Sequence, residues 1–429
     1  MGKIISPKDL TERYNNEVHF MNNKDEPFYR WYPFVEGFSG SLVKSIIEEL
    51  DYTPTFCLDP FAGSGTTPLA CQELGIKCLS FEINPFLYDL TITKLYRRYN
   101  QHFFENAINR MEQTLAKHKE IWGYPKLESE TLFEKKSLQK WIFHRQVAWG
   151  LFDILNEIET LPDGPENYYK LLLKISLASI LLDVSNVFRN GKCLSYKPNW
   201  QDNGMSRQDV HKKFISFCRE VVFDDLRQLN SEEIIVENYS LCKKGDTRKL
   251  IKELEDESLD LVITSPPYLN SRDYTDIYRL ELWVLGYLKS YAEQIELRKS
   301  TLRSHVQIAW PYIETPKINR LKKITKQLEK NRKVLWNRSI PEMIKGYFTD
   351  MNEILKSLYE KLRKNSKVYI IVGNSSYHKL SIETDFILAE IAQMNKFRVD
   401  EIRVARYLRS SGQQNSKKLR ESIIVLTRT

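Results

Sequence analysis

The chain contains no C-x-x-C pair. Its six cysteines, Cys57, Cys71, Cys78, Cys193, Cys218 and Cys242, are scattered through 429 residues. That scatter argues against a zinc site and a disulfide framework, and points to reduced thiols in a cytosolic protein without a metal centre. No apolar run approaches the roughly 20 residues that span a bilayer. The opening "MGKIISPKDL" lacks the apolar core of a signal peptide. Gly2 and Ser6 fit the loose pattern for N-myristoylation, but nothing else in the sequence points to a membrane. Internal repeats and low-complexity segments are missing too. Neither sign of charge dominates: 64 Lys and Arg stand against 56 Asp and Glu, and the net +8 mildly favours an anionic partner. The length allows one large domain with insertions, or two domains.

What the sequence does have is a set of strand ends. In "DLVITSPPYLNSRDY", Asp260 to Tyr274, Leu261, Val262 and Ile263 form a short β-branched run suited to a strand covered on both faces. The strand is expected to stop at Ser265, because Pro266 and Pro267 have no N–H for the ladder. Each proline also restricts its predecessor, so Ser265 and the proline carbonyls are held stiffly as acceptors at a strand end. A plain proline-terminated turn is the competing reading. In "TFCLDPFAGSGTTPLA", a strand ends at Asp59 and a helix starts near Thr66, with Gly63 and Gly65 permitting the tight turn between them. A second strand, "KCLSFE", ends in Glu82, where an acid can grip ribose hydroxyls. This spacing reads as a nucleoside-binding α/β unit. The third glycine of G-x-G-x-x-G and the P-loop lysine are both absent, which leaves amide donors at a helix N-terminus, suited to a carboxylate.

Taken together, "DPFAGSGTT", "FEINPF" and "TSPPY" resemble the S-adenosylmethionine-dependent DNA amino-methyltransferases, which methylate the exocyclic nitrogen of cytosine or adenine. The resemblance covers roughly Trp31 to Tyr99 and Tyr239 to the C-terminus, and is weaker around "LASILLDVSNVFRNGKCLSY". It implies an α/β fold, a Rossmann-like methyltransferase sheet with an antiparallel last strand and two mainly helical insertions. It implies S-adenosylmethionine as cofactor, with Asp59, Phe61, Gly63, Gly65 and Thr66 around the methionine part and Glu82 on the ribose. Asp246, in "CKKGDTRKL", would accept from the adenine amino group; an ordinary Gly-Asp turn is the alternative. Phe38, Ser39 and Gly40, in "RWYPFVEGFSGSLV", would close over the methionine. The catalytic group would be Ser265, Pro266, Pro267 and Tyr268, with Tyr268 stacking on a base flipped out of double-stranded DNA. In this family the serine version goes mainly with cytosine N4 and the aspartate version with adenine N6. The resemblance therefore implies N4-methylcytosine, with adenine N6 as the near alternative and an RNA guanine-N2 enzyme or a catalytically silent DNA-binding regulator further off. It also implies a bacterial restriction-modification system with a cognate restriction endonuclease, and a cytoplasmic, nucleoid-associated protein.

The catalytic core is expected over residues 28–97, 234–285 and 346–429. Its tail would supply a strand in "KVYIIVGNSS", a helix in "TDFILAEIAQMNKF" and two strands in "RVDEIRVARYL" and "ESIIVLTRT". Residues 98–233 read as a helical insertion and 286–345 as a basic one; either could recognise the target. Trp149, Leu151, Phe152 and Ile154 read as helix-packing core. In the second insertion Arg320, Lys322, Lys323, Lys326, Lys330, Arg332 and Lys333 read either as a solvated face or as a phosphate-contacting surface. Arg272, and the loop from Arg409 to Arg420 with Lys417, are further candidates for DNA contact. The loop's competing reading is a flexible basic hairpin. One feature departs from the commonest family pattern: the cofactor loop precedes "SPPY", a permuted order that leaves the target-recognition region open.

Overall fold

A computed structural model describes residues 6–429 apart from 35, 119–122, 124, 162–166, 191–192, 203, 230–239, 312 and 409–417. Eight strands make the main sheet: β1 (Lys8–Asp9), β2 (Phe56–Asp59), β3 (Lys77–Glu82), β4 (Ser240–Lys244), β5 (Leu259–Thr264), β6 (Leu362–Gly373), β7 (Phe397–Leu408) and β8 (Leu419–Arg428). Their spatial order is β1-β7-β8-β6-β5-β2-β3-β4. The run from β6 through β5, β2 and β3 to β4 is parallel, and β8 lies antiparallel to both β6 and β7. This is a Rossmann-like sheet with an antiparallel last strand.

Side-chain chemistry explains the strands that carry the site. All six residues of β5 are buried, with the apolar run Leu261–Ile263 at its centre, as a doubly covered parallel strand requires. The strand ends at Thr264, one residue before Ser265 and the prolines. Helix α1 (Gly40–Glu48) and helix α2 (Thr66–Glu73) pack together on one face. Helix α3 (Pro85–Leu95) starts from an Asn84 cap whose side chain accepts from the N–H groups of Phe86 and Leu87. The chain runs outward from β2 to β3 and β4, then returns across the sheet to β5. The topological switch point, where open α/β sheets bind ligands, therefore lies between the carboxyl ends of β2 and β5.

Helices α4 (Gln101–Leu115), α5 (Arg145–Glu159), α6 (Asn167–Val184) and α7 (Arg207–Phe217) build the first insertion. Leu151, Phe152 and Ile154 are buried in its core, while Trp149 is partly exposed. The expected helical insertion is interrupted by a hairpin: α6 stops at Val184, and Val187–Asn190 pairs antiparallel with Cys193–Tyr196. This hairpin carries Arg189 to Glu281 (2.7 Å) and to the Tyr32 hydroxyl (2.6 Å). The second insertion holds α8 (Tyr291–Ser300) and α9 (Asn319–Lys330); α10 (Ile340–Lys361) leads into β6, and α11 (Thr384–Met394) precedes β7. The N-terminal residues also join the sheet: β1 pairs with β7, and Asn23 holds the Phe38 carbonyl (3.1 Å) and the Gly40 N–H (2.9 Å).

The cysteines converge in a way their spacing conceals. Register pairs Cys57 of β2 with Cys78 of β3, and α2 lays Cys71 over them, so the three sulfurs lie within 4.8 Å of one another. All three are buried in the apolar core beneath α1 and α2.

Candidate active site

At the switch point two strand ends are tied together. Asp59 ends β2, and its Oδ1 accepts from the Thr264 hydroxyl at the end of β5 (2.7 Å) and from the Phe61 N–H (3.0 Å). Burial pushes this carboxyl up to about 6, against the pull of those hydrogen bonds. Glu82 ends β3; its Oε2 accepts from the Gly63 N–H (2.9 Å) and its Oε1 from the Asn84 N–H (2.8 Å). Burial raises Glu82 to about 7, opposed by those same N–H groups. The glycine loop thus hangs from the tip of the neighbouring strand. Gly63 and Gly65 take φ of +54° and +80°, where a side chain is strained. A Cβ on Gly65 would also stand 2.9 Å from Thr91.

Below the loop, the buried Lys94 donates from Nζ to the carbonyls of Ser64 (3.1 Å) and Tyr29 (3.2 Å). Burial alone pulls its ammonium down to about 7. Asp246 follows β4 and caps a short helical turn, accepting from the Arg248 N–H (3.0 Å). The Arg248 side chain returns to grip it, with Nη2 2.8 Å from Oδ2, and reaches Asp350 through Nη1 (3.1 Å).

These groups surround a cavity of roughly 1060 Å³, its open mouth included. Phe38, Phe61, Gly63, Thr66, Glu82, Asp246, Arg248, Ser265 and Pro267 line it. Asp59, Ser39, Gly40 and Gly65 stand behind that wall. Asp59 braces the loop; Ser39 turns its hydroxyl to Ser41 (2.7 Å) and to the Glu17 carbonyl (2.9 Å). A Cβ on Gly40 would collide with the Tyr29 ring.

A second cavity of roughly 1250 Å³ adjoins the first. Ser265, Pro266, Tyr268, Arg272 and Arg406 line it, and Phe34, Glu36, Gly37, Phe38, Ser265 and Tyr274 belong to both. Tyr268 is fixed at both ends. Its hydroxyl donates to Glu421, which Arg406 also holds, and its ring packs so close to Gly373 that a Cβ there would meet it at 2.9 Å. Burial and the Glu421 charge push the Tyr268 phenol well above its usual range.

The proposed phosphate contacts divide. Arg272 pairs with Glu36 at the rim of the second cavity. Arg320 is engaged by Glu383 and by Glu390 (3.1 Å), and packs over Phe386. Lys322, Lys323 and Lys326 are exposed on α9, whose opposite face buries Leu321, Thr325 and Leu328. Arg409 and Lys417 lie outside the described residues. Sequence reasoning missed Glu36, Lys94, Arg248, Arg406 and Glu421. Glu36, inside "RWYPFVEGFSGSLV", and Arg248, two residues beyond Asp246, stood near motifs; the others are brought in by tertiary packing.

The donor set suits S-adenosylmethionine: acids for ribose hydroxyls and an amino group, loop amides for a carboxylate, and aromatic rings for a sulfonium. The family N6_N4_Mtase, described as DNA methylase, matches residues 15–94. The Type II methyltransferase M.AvaI of Nostoc sp. is 28% identical over 430 residues, covering 90% of this chain and 82% of that protein. The Type II methyltransferase M.BsoBI of Geobacillus stearothermophilus is 24% identical, covering 99% and 90%. The Type II methyltransferase M.MvaI of Kocuria varians is 23% identical, covering 88% and 84%. With three strand-end motifs meeting at one switch point, the chain matches the DNA methylase family over residues 15–94 and is similar to Type II methyltransferases across most of both chains.

Proposed function

We propose that the protein methylates N4 of cytosine, at a specific duplex sequence and in a base turned out of the helix, as the modification enzyme of a restriction-modification system. The observation that carries this reading is the position of Ser265 on the wall shared by two cavities. One cavity holds the acids Glu82 and Asp246, and the other holds Tyr268. In the first, Glu82 would hold the ribose hydroxyls, Asp246 the adenine amino group, and the loop around Gly63 with Phe38 the methionine end. The bound cofactor supplies an electrophilic methyl group on a sulfonium.

In the second cavity Tyr268 stacks on the extruded base, held upright by Glu421 and Gly373. The Ser265 hydroxyl and the Pro266 carbonyl accept the two amino hydrogens. Those bonds favour a pyramidal nitrogen with its lone pair turned toward the first cavity. Rate enhancement comes mainly from this positioning. Serine is no base at neutral pH, so the amino proton departs after the transfer, and among the described residues no cysteine lines either cavity. Cytosine is favoured over adenine by the serine before the two prolines. The Type II names of the relatives support the restriction-modification role.

The test is incubation with tritiated S-adenosylmethionine and mixed-sequence duplex DNA, followed by digestion and mass identification of the labelled nucleoside. Label in N4-methylcytosine is expected. Label in N6-methyladenine would keep the chemistry and overturn the base, and label only in RNA would overturn the reading.

A further inference from the structure

The segment joining α9 to α10 presents two large apolar side chains to solvent: Trp336 is 64% exposed and Val334 59%. Between them Leu335 is buried at 7% exposure, which anchors the segment and turns its neighbours outward. Arg332 closes the segment internally. Its Nη1 donates to the Arg338 carbonyl (3.0 Å), and the guanidinium pairs with Glu342 of α10 (2.5 Å). Asn337 adds a turn of its own by accepting from the Ser339 N–H (2.8 Å). The tip is therefore a stiffened projection. Around it Lys330, Lys333 and Arg338 are exposed.

Its position is fixed by α10. That helix leads into β6, which runs parallel to β5, so the first turn of α10 lies at the carboxyl edge of the sheet. Met343 in that turn accepts from the Ser271 hydroxyl at 3.4 Å, just beyond the Ser265–Tyr268 loop. An exposed tryptophan flanked in sequence by three exposed cations, on the sheet edge that also carries the Ser265–Tyr268 loop, matches a polyanion with stackable faces.

We infer that Trp336 is an apolar wedge that inserts between base steps of duplex DNA, with Lys330, Lys333 and Arg338 seated on the flanking phosphates. Proteins that insert such wedges unstack and kink the duplex in exchange for wider contact. Here the wedge would ease extrusion of the base that Tyr268 receives. The inference rests on the reading of the chain as a DNA enzyme, and the two fail in different measurements.

The experiment compares wild type, Trp336→Ala, Trp336→Phe and the double variant Lys330→Ala/Lys333→Ala on two mixed-sequence 30-bp duplexes, one intact and one with a single central abasic site. Trp336→Ala is expected to bind the intact duplex about 10- to 100-fold more weakly. Its salt dependence should not change, since no charge is lost. The lysine variant should lower the salt slope by about two. On the abasic duplex, where unstacking is already relieved, the Trp336→Ala deficit should shrink to less than about threefold, and Trp336→Phe should retain most of the binding. Calorimetry with S-adenosylhomocysteine, unchanged in every variant, serves as the folding control.

Equal affinity of wild type and Trp336→Ala for the intact duplex would overturn the inference, as would a deficit of the same size on both duplexes. So would loss of self-association in Trp336→Ala by sedimentation with DNA affinity intact, which would make the tip a protein contact. Absence of methyl label in DNA, with these binding results unchanged, would sink the enzymatic reading alone.

Discussion

Replacing Glu82 by glutamine keeps the shape of the side chain and removes its charge, so it separates two roles of one carboxylate. Between its ordinary 4.5 and about 7, the folded protein retains a proton on Glu82 that the unfolded chain releases. The preference for the folded state is complete below 4.5 and is lost as the pH rises through about 7. At about 1.4 kcal/mol per pK unit, that loss is about 3 kcal/mol. Glutamine does not titrate, so the stability of the variant should fall less between pH 4.5 and 8, by about that amount. In exchange, glutamine has one acceptor oxygen for two donors, the N–H groups of Gly63 and Asn84. One of them then faces an amide NH2, which costs about 1–3 kcal/mol at any pH. The variant should thus be clearly less stable than wild type at pH 5 and close to it at pH 8. Affinity for S-adenosylhomocysteine should fall about 10- to 100-fold, the worth of a hydrogen bond to a charged acceptor. Denaturant unfolding at the two pH values and titration calorimetry read both effects. Parallel stability profiles together with unchanged affinity would refute the reasoning.

Other substitutions divide contacts that the site combines. Tyr268→Phe gives up the bond to Glu421 but keeps the ring, so methyl transfer should stay within about threefold of wild type, whereas Tyr268→Ala should lose transfer far more than cofactor binding, because stacking is worth about 1–3 kcal/mol per base; single-turnover rates beside calorimetry decide. Lys94→Met should abolish a pH dependence: the depressed ammonium makes wild-type stability rise with pH between about 7 and the usual 10.5, because there the unfolded chain binds the extra proton. Across that range the variant should lack the rise attributable to Lys94, and an unchanged rise would assign the effect elsewhere. Arg320→Gln should leave duplex affinity and its salt slope unaltered, since the guanidinium already serves Glu383 and Glu390, while loss of Lys322, Lys323 and Lys326 together should reduce the slope by two to three; filter binding across a salt series separates the two.

Local sequence carried the parts of the site that local chemistry dictates. Two prolines must end a parallel strand, and β5 does end at Thr264. The turn through Gly63 and Gly65 requires positive φ, and both residues adopt it. Glu82 stands at a strand tip, where β3 ends. What sequence hid depends on register and on long-range packing. The meeting of Cys57, Cys71 and Cys78 follows from one parallel register and the placement of one helix. The hairpin after α6 was hidden by the strong helical run before it, and its Arg189 finds Glu281 across 92 residues. Arg320 looked like one more surface cation until α11 brought two glutamates to it. Lys94 carries no motif at all; its role depends on two carbonyls, one 30 and one 65 residues away.

The wall common to the two cavities has a thermodynamic corollary. Six residues, Ser265 among them, line both chambers, so whatever fills one changes the surface offered to the other. If filling the first chamber tightens the grip on DNA by some factor, DNA must tighten the grip on the first chamber's ligand by that same factor. The factor is obtained from either side, by titrating S-adenosylhomocysteine with and without duplex or duplex with and without S-adenosylhomocysteine. The two numbers must agree, whatever the order in which the partners arrive.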